Sequence, residues 1–102
     1  MKFRYTPAAI CDLEEIEAYI RDTLQNPDAA VNIITSIAAD CAQIKDQSHL
    51  GPELHQKLHR EVEGHYLISG KYIVIYEIDE AISIQRVLDT RTDYMQILFG
   101  TI

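Results

Sequence analysis

The sequence predicts an α+β domain of order β-α-α-β-β-β. A short N-terminal strand precedes an antiparallel helix hairpin packed on a small antiparallel sheet, and a short C-terminal helix or tail follows. Three observations predict this class. Two apolar stripes at helical spacing each follow a capping residue and a proline. Three strand-like runs in the last third are separated by tight turns. With 102 residues, 47% apolar and 25% charged, the chain suits one domain over residues 1–102, with one core and little spare stability.

Residues 2–6, Lys2-Phe3-Arg4-Tyr5-Thr6, alternate polar and apolar and form the first strand. Thr6 is the expected N-cap of the first helix, with Pro7 at its first position, where a missing N–H costs nothing. Ile10, Leu13, Ile16, Ile20 and Leu24 form one stripe along it, and Asp12, Glu14, Glu15, Glu17 and Asp22 cover the other faces. Asn26-Pro27 repeats the punctuation. Val31, Ile34, Ile37, Cys41 and Ile44 are the second stripe, and Ala29, Ala30, Ala38, Ala39 and Ala42 permit close helix contact. The short link between the helices makes them an antiparallel hairpin.

Residues 46–56 contain Gly51-Pro52 without a clear period and read as a loop. Leu58 to Glu63 fits either a strand or irregular chain. His65–Ser69 and Lys71–Ile78 are strands joined at Ser69-Gly70 by a hairpin turn, and Asp79-Glu80 leads into Ala81–Leu88. Thr92–Phe99 suits a final helix or an extended tail. The helix hairpin must bury its stripe on one sheet face, so the opposite face is expected to be partly covered and open to a ligand.

The formal net charge is −7. It is spread along the chain, with four basic and eight acidic residues in 1–50 and five and eight in 51–102. This argues against a simple nucleic-acid-coating protein, which draws its affinity from basic surface, and leaves room for a local basic site. No apolar run approaches the roughly 18 residues of a membrane span, and Met1 to Tyr5 lacks the apolar core of a signal peptide. Cys11 and Cys41 read as two reduced thiols on packed helices rather than a disulfide framework. A cytoplasmic protein is expected.

Chemistry-bearing residues gather toward the end of the last strand. Strict alternation puts Ile82, Ile84, Arg86 and Leu88 on one face and Ser83, Gln85, Val87 and Asp89 on the other. Arg86 then has two readings, a structural arginine paired with a carboxylate or a clamp for phosphate or carboxylate. Asp93 is placed to hold Arg91 or to cap the final helix, and Tyr94 to transfer a proton or cover the core. RNA cleavage by 2′-hydroxyl attack needs a base, an acid and cations, and His65, Lys71, Arg86, Arg91 and Tyr94 supply those types.

Other constellations are weaker. His55 and His59, with His49 and Glu53 nearby, have metal-like spacing on a helix but read better as solvated loop histidines. Tyr66, Tyr72 and Tyr76 suggest a base-stacking platform, but Tyr72 and Tyr76 share a face with Val74 and Ile78 and read as core. There is no glycine-rich phosphate loop, nucleophile elbow or cysteine zinc pattern, and no cofactor or metal is expected.

Several segments resemble one family in matching order. Asp12-Leu13-Glu14-Glu15-Ile16 with Tyr19-Ile20 resembles a first helix reading D-L-x-x-I-x-x-Y-I. Tyr66 through Tyr76 resembles a hairpin reading Y-x-x-x-x-G-x-Y-x-V-x-Y. Arg86-Val87-Leu88 with Arg91-x-Asp93-Tyr94 resembles the closing R-V-L-H-x-R-x-D-Y. These resemble the ParE/RelE superfamily of toxins from type II toxin–antitoxin pairs, of the plasmid-stabilisation type. The resemblance implies a helix hairpin on an antiparallel sheet and a cognate antitoxin that wraps the toxin. RelE-like members cleave mRNA on the ribosome, whereas ParE-like members poison DNA gyrase.

The chain departs from the pattern at Asp89, where many relatives carry histidine, and at Arg91-Thr92, where many carry paired arginines. With the acidic balance, these departures favour a ParE-like gyrase inhibitor. The alternative is a RelE-like, ribosome-dependent endonuclease using Arg86, Arg91, Tyr94, Lys71 and His65. A further alternative is an inactive antitoxin-binding module. An uncovered sheet face or apolar edge also leaves room for a homodimer.

Overall fold

The computed structural model describes residues 2–45 and 64–92. Within them lie β1 (Lys2–Tyr5), α1 (Pro7–Ala18), α2 (Pro27–Ala42), β2 (His65–Ser69), β3 (Tyr72–Ile78) and β4 (Ala81–Asp89). The loop expected at 46–56, the ambiguous 58–63 segment and the C-terminal helix or tail from 93 on lie outside the described residues.

Both helix starts form as the capping residues dictate. The Thr6 side chain accepts from the Ala9 N–H, the Asn26 side chain accepts from the Ala29 N–H, and a proline follows each cap. These bonds satisfy donors that the first helical turn otherwise leaves orphaned. The first helix does not end as regular helix. Tyr19–Thr23 widen into a π turn, with the Leu24 N–H bonded to the Tyr19 carbonyl at 3.1 Å, and Gln25 takes φ 53° before α2 begins.

The widened turn breaks the expected stripe. Ile20 is buried, but Leu24 is 56% exposed, because the extra residue per turn rotates it off the core line. Ile10 is also outside the core, at 46% exposed; the inward line runs through Ala9, Asp12, Leu13, Ile16 and Ile20. In α2 the core positions are Ala30, Ile37 and Cys41, with Ile44 just beyond, while Val31 is 62% exposed. Of the alanines expected at helix contacts, Ala38, Ala39 and Ala42 face solvent.

The four strands form one sheet in the order β1-β4-β3-β2. β2, β3 and β4 are antiparallel neighbours, as expected, and β1 adds parallel to β4 with Tyr5 opposite Ile84. Gly70, at φ 59°, opens the two-residue turn between Ser69 and Tyr72, a conformation that needs no Cβ.

The pairing of β3 with β4 slips by one residue. Tyr76 faces Ile84 but Ile75 faces Arg86, so Gln85 is an extra residue in β4. The bulge reverses the alternation beyond it. Ile82, Ile84 and Val87 therefore lie on the helix side, where they meet Val74 and Tyr76 of β3 and Ala9, Ile37, Cys41 and Ile44. Arg86 and Leu88 do not share the face of Ile82 and Ile84, contrary to strict alternation. Ile73, Ile75 and Leu88, on the opposite face, are buried, so that face is not open along β3 and β4.

Candidate functional site

β1 flanks only the first half of β4, and what replaces it comes from the start of α1. The Thr6 N–H bonds to the Ile84 carbonyl at 3.0 Å, and the Thr6 hydroxyl donates to the Gln85 carbonyl at 2.9 Å. Nearly two turns later Asp12 takes over. Its Oδ2 accepts from the Val87 N–H at 2.9 Å and from Arg86 Nε at 2.7 Å, and its Oδ1 accepts from Arg86 Nη2 at 2.9 Å. Asp12 is only 7% exposed. The planar guanidinium matches both carboxylate oxygens, and the backbone N–H fills a further lone pair, so the buried charge is fully paired. The pair holds Arg86 above its ordinary range, chiefly through the Asp12 hydrogen bonds.

The end of β4 carries a second pair of the same types. Asp89 accepts from Arg91 Nε at 3.1 Å, from Arg91 Nη2 at 2.7 Å and from the Arg91 backbone N–H at 2.8 Å. Here Arg91 is exposed and Asp89 half-buried. Hydrogen bonding to Arg91 pulls the Asp89 carboxyl below the usual carboxylate range. Thr90 ties this turn to the β2–β3 hairpin, its N–H and hydroxyl both donating to the Lys71 carbonyl at 2.9 and 3.0 Å.

That junction is one wall of an open groove of about 470 Å³. Ile20, Ile33 and Ile37 give it an apolar floor, and the exposed Tyr19 of the π turn and Leu24 just after it form the helical rim. Lys71, Tyr72, Asp89 and Arg91 form the strand rim. Asp40 crosses the space to accept from the Ser69 hydroxyl at 2.6 Å. Burial and the neighbouring Asp89 raise the Tyr72 phenol, so it stays protonated near neutral pH. The groove thus offers apolar surface with phenolic edges, and among the described residues its charged lining of two cations and two carboxylates is formally neutral.

The residues expected to act in RNA cleavage are not all gathered here. Lys71 and Arg91 meet at the groove. Arg86 is taken up by Asp12 at the β4 edge. His65 pairs in register with Tyr76, at the other end of β2 from Ser69, and its ring stacks on Tyr76 at 5.6 Å. Tyr94 lies outside the described residues, as do Asp93, His49, Glu53, His55 and His59; it is Asp89 that holds Arg91. Tyr76 is core and Tyr72 packs against it, as their shared face implies. Among the described residues no group of three His, Cys, Asp or Glu side chains is arranged to hold a metal, and no helix is long and apolar enough to cross a membrane.

Sequence reasoning missed Asp12, which it placed on a solvated face. Two signals marked it: Asp12 sits three residues after Ala9 and four before Ile16, on the inward line, and it opens the D-L-x-x-I segment of the family resemblance. The thiols divide as free cysteines, Cys11 exposed and Cys41 buried. Cys41 and Tyr5 perturb each other, and burial pushes the thiol up to about 11 and the phenol up to about 12.

A family model described as the ParE toxin of the parDE type II toxin–antitoxin system matches residues 3–94. Eleven chains of solved structures match. One, described as a chromosomal ParDE TA system from P. aeruginosa, has a TM-score of 0.73 at 19% identity, covering 87% of this chain and 95% of that chain. At that identity the likeness is one of fold. No curated protein matches significantly in sequence.

Proposed function

Because the chain belongs to the ParE toxin family of type II toxin–antitoxin systems, we propose that it is a cytoplasmic toxin that inhibits DNA gyrase and is neutralised by a cognate antitoxin. The reading takes the whole chain as one toxin domain. Its main support is the family match over residues 3–94, nearly the entire chain. Its second support is the state of the cations. A ribonuclease needs bare positive charge facing the scissile phosphate, whereas Arg86 and Arg91 each carry a two-pronged carboxylate. The apolar floor of the groove suits an amphipathic antitoxin segment that orders on binding.

The test is a supercoiling assay with purified gyrase and purified chain, repeated with the antitoxin added. Inhibition that the antitoxin reverses is the expected result. Supercoiling unaffected at large molar excess of toxin, with mRNA cut in a translating extract, would replace this reading with the endonuclease.

A further inference from the structure

We propose that Asp89 is a specificity-determining residue that makes the rim of the groove blind to phosphate. The inference rests on the reading of a protein target rather than RNA, and it adds the residue that enforces the choice. Among the described residues, Arg91 and Lys71 are the cations of this rim, in a chain of net charge −7. Arg91 alone has the planar fork that binds a phosphate through two parallel bonds. Asp89 occupies that fork from two residues away in sequence, with both oxygens on the guanidinium and one also on the Arg91 backbone N–H.

The contact is short-range and self-contained. The same carboxylate that binds the guanidinium also closes the turn, so ordering the side chain needs no distant element. A phosphate approaching Arg91 must displace Asp89, and it meets the displaced carboxylate as a like charge. A neutral, apolar partner surface meets neither barrier. Lys71 stands near enough to Asp89 to help stabilise its charged form, after the larger effect of Arg91.

The test compares the wild type with Asp89→Asn and Asp89→Ser by titrating a single-stranded RNA hexanucleotide and following Lys71, Tyr72 and Arg91 by NMR. Thermal melts confirm that each variant is folded. The expected result is a Kd at least tenfold tighter for both variants, with shifts at the three rim residues. The slope of log K against log salt should steepen by about 0.7 for the one phosphate contact that Arg91 gains. Adding Arg91→Ala to Asp89→Asn should return binding to the wild-type level. Equal Kd values in wild type and variants, whether tight or weak, would overturn the proposal, as would a gain that survives Arg91→Ala. The outcome is independent of the gyrase assay: a gyrase failure with the RNA contrast intact removes only the target reading.

Discussion

Arg86 and Arg91 lie five residues apart at one end of β4, and each meets an aspartate through two hydrogen bonds. The pairs otherwise differ in every respect that sets their value. Asp12 reaches Arg86 from another element, 74 residues away in sequence, and is buried. Asp89 reaches Arg91 from the same turn, in solvent. The buried pair holds the helix hairpin to the sheet edge that β1 does not cover. The exposed pair holds nothing distant and only sets the charge of the groove rim. Equal chemistry thus becomes architecture in one place and selectivity in the other, because desolvation decides what an unpaired partner costs.

Breaking the buried side should have the largest effect. Asp12→Ala leaves the Arg86 guanidinium and the Val87 N–H without their acceptor. The expected loss is about 3 kcal/mol, the low end for a broken buried pair, because Arg86 keeps partial contact with water. Urea unfolding at neutral pH measures it, and a loss below about 1 kcal/mol would erase the distinction between the two arginines.

Alkaline titration probes the same buried half through Cys41. Its thiol ionises near 9 when unfolded and near 11 in the fold, where burial favours the neutral form. The folded-state value is raised, so its contribution is whole below about pH 9 and is lost as pH rises through 11. By pH 11 the loss should reach about 2 kcal/mol, two units at about 1.4 kcal/mol each less the part recovered by the half-ionised folded thiol. Tyr5, pushed up to about 12 by burial, extends the decline further. Stability measured against pH in the wild type and Cys41→Ala separates the two; a wild-type curve flat between pH 9 and 11 would contradict the assignment.

Thr6→Ala should cost about 1 kcal/mol, since it removes the cap of α1 and the bond to the Gln85 carbonyl. Because Thr6 and Asp12 serve adjoining groups of one strand edge, the double variant should lose less than the sum of the single losses. Strict additivity in urea would mean that the edge is not held as a unit.

The smallest effect belongs to the exposed pair. Arg91→Ala should leave the urea midpoint unchanged within error while altering what the groove binds. Asp89, held low by Arg91, contributes only above the usual carboxylate range, and that contribution fades as pH falls through its folded-state value. A large midpoint shift for Arg91→Ala would place Arg91 in the structural class beside Arg86.

Much of this was legible locally. Thr6-Pro7 and Asn26-Pro27 started two helices because capping needs only a side-chain oxygen a few residues from an orphan N–H. Ser69-Gly70 and Asp79-Glu80 marked the strand turns for similar reasons, through the positive φ that Gly70 adopts and the Ala81 N–H that Asp79 accepts. The candidate site was half legible: Lys71 and Arg91 came together, whereas His65 and Arg86 went elsewhere. Two misplacements share one cause. Arg86 left the face of Ile84, and Leu24 left the stripe of α1, since a bulge and a π turn each add a residue that no local preference announces.

The sequence by itself determined the order of elements, the helix starts, the turns and the family resemblance, all of which depend on groups within a few residues of one another. Only the tertiary structure decided that β1 joins β4 in parallel, that Gln85 reverses the strand face, and that Asp12 belongs to Arg86 while Asp89 belongs to Arg91. A carboxylate's role depends on how much water it loses and which donors it meets. For Asp12 both were set by a strand more than seventy residues away.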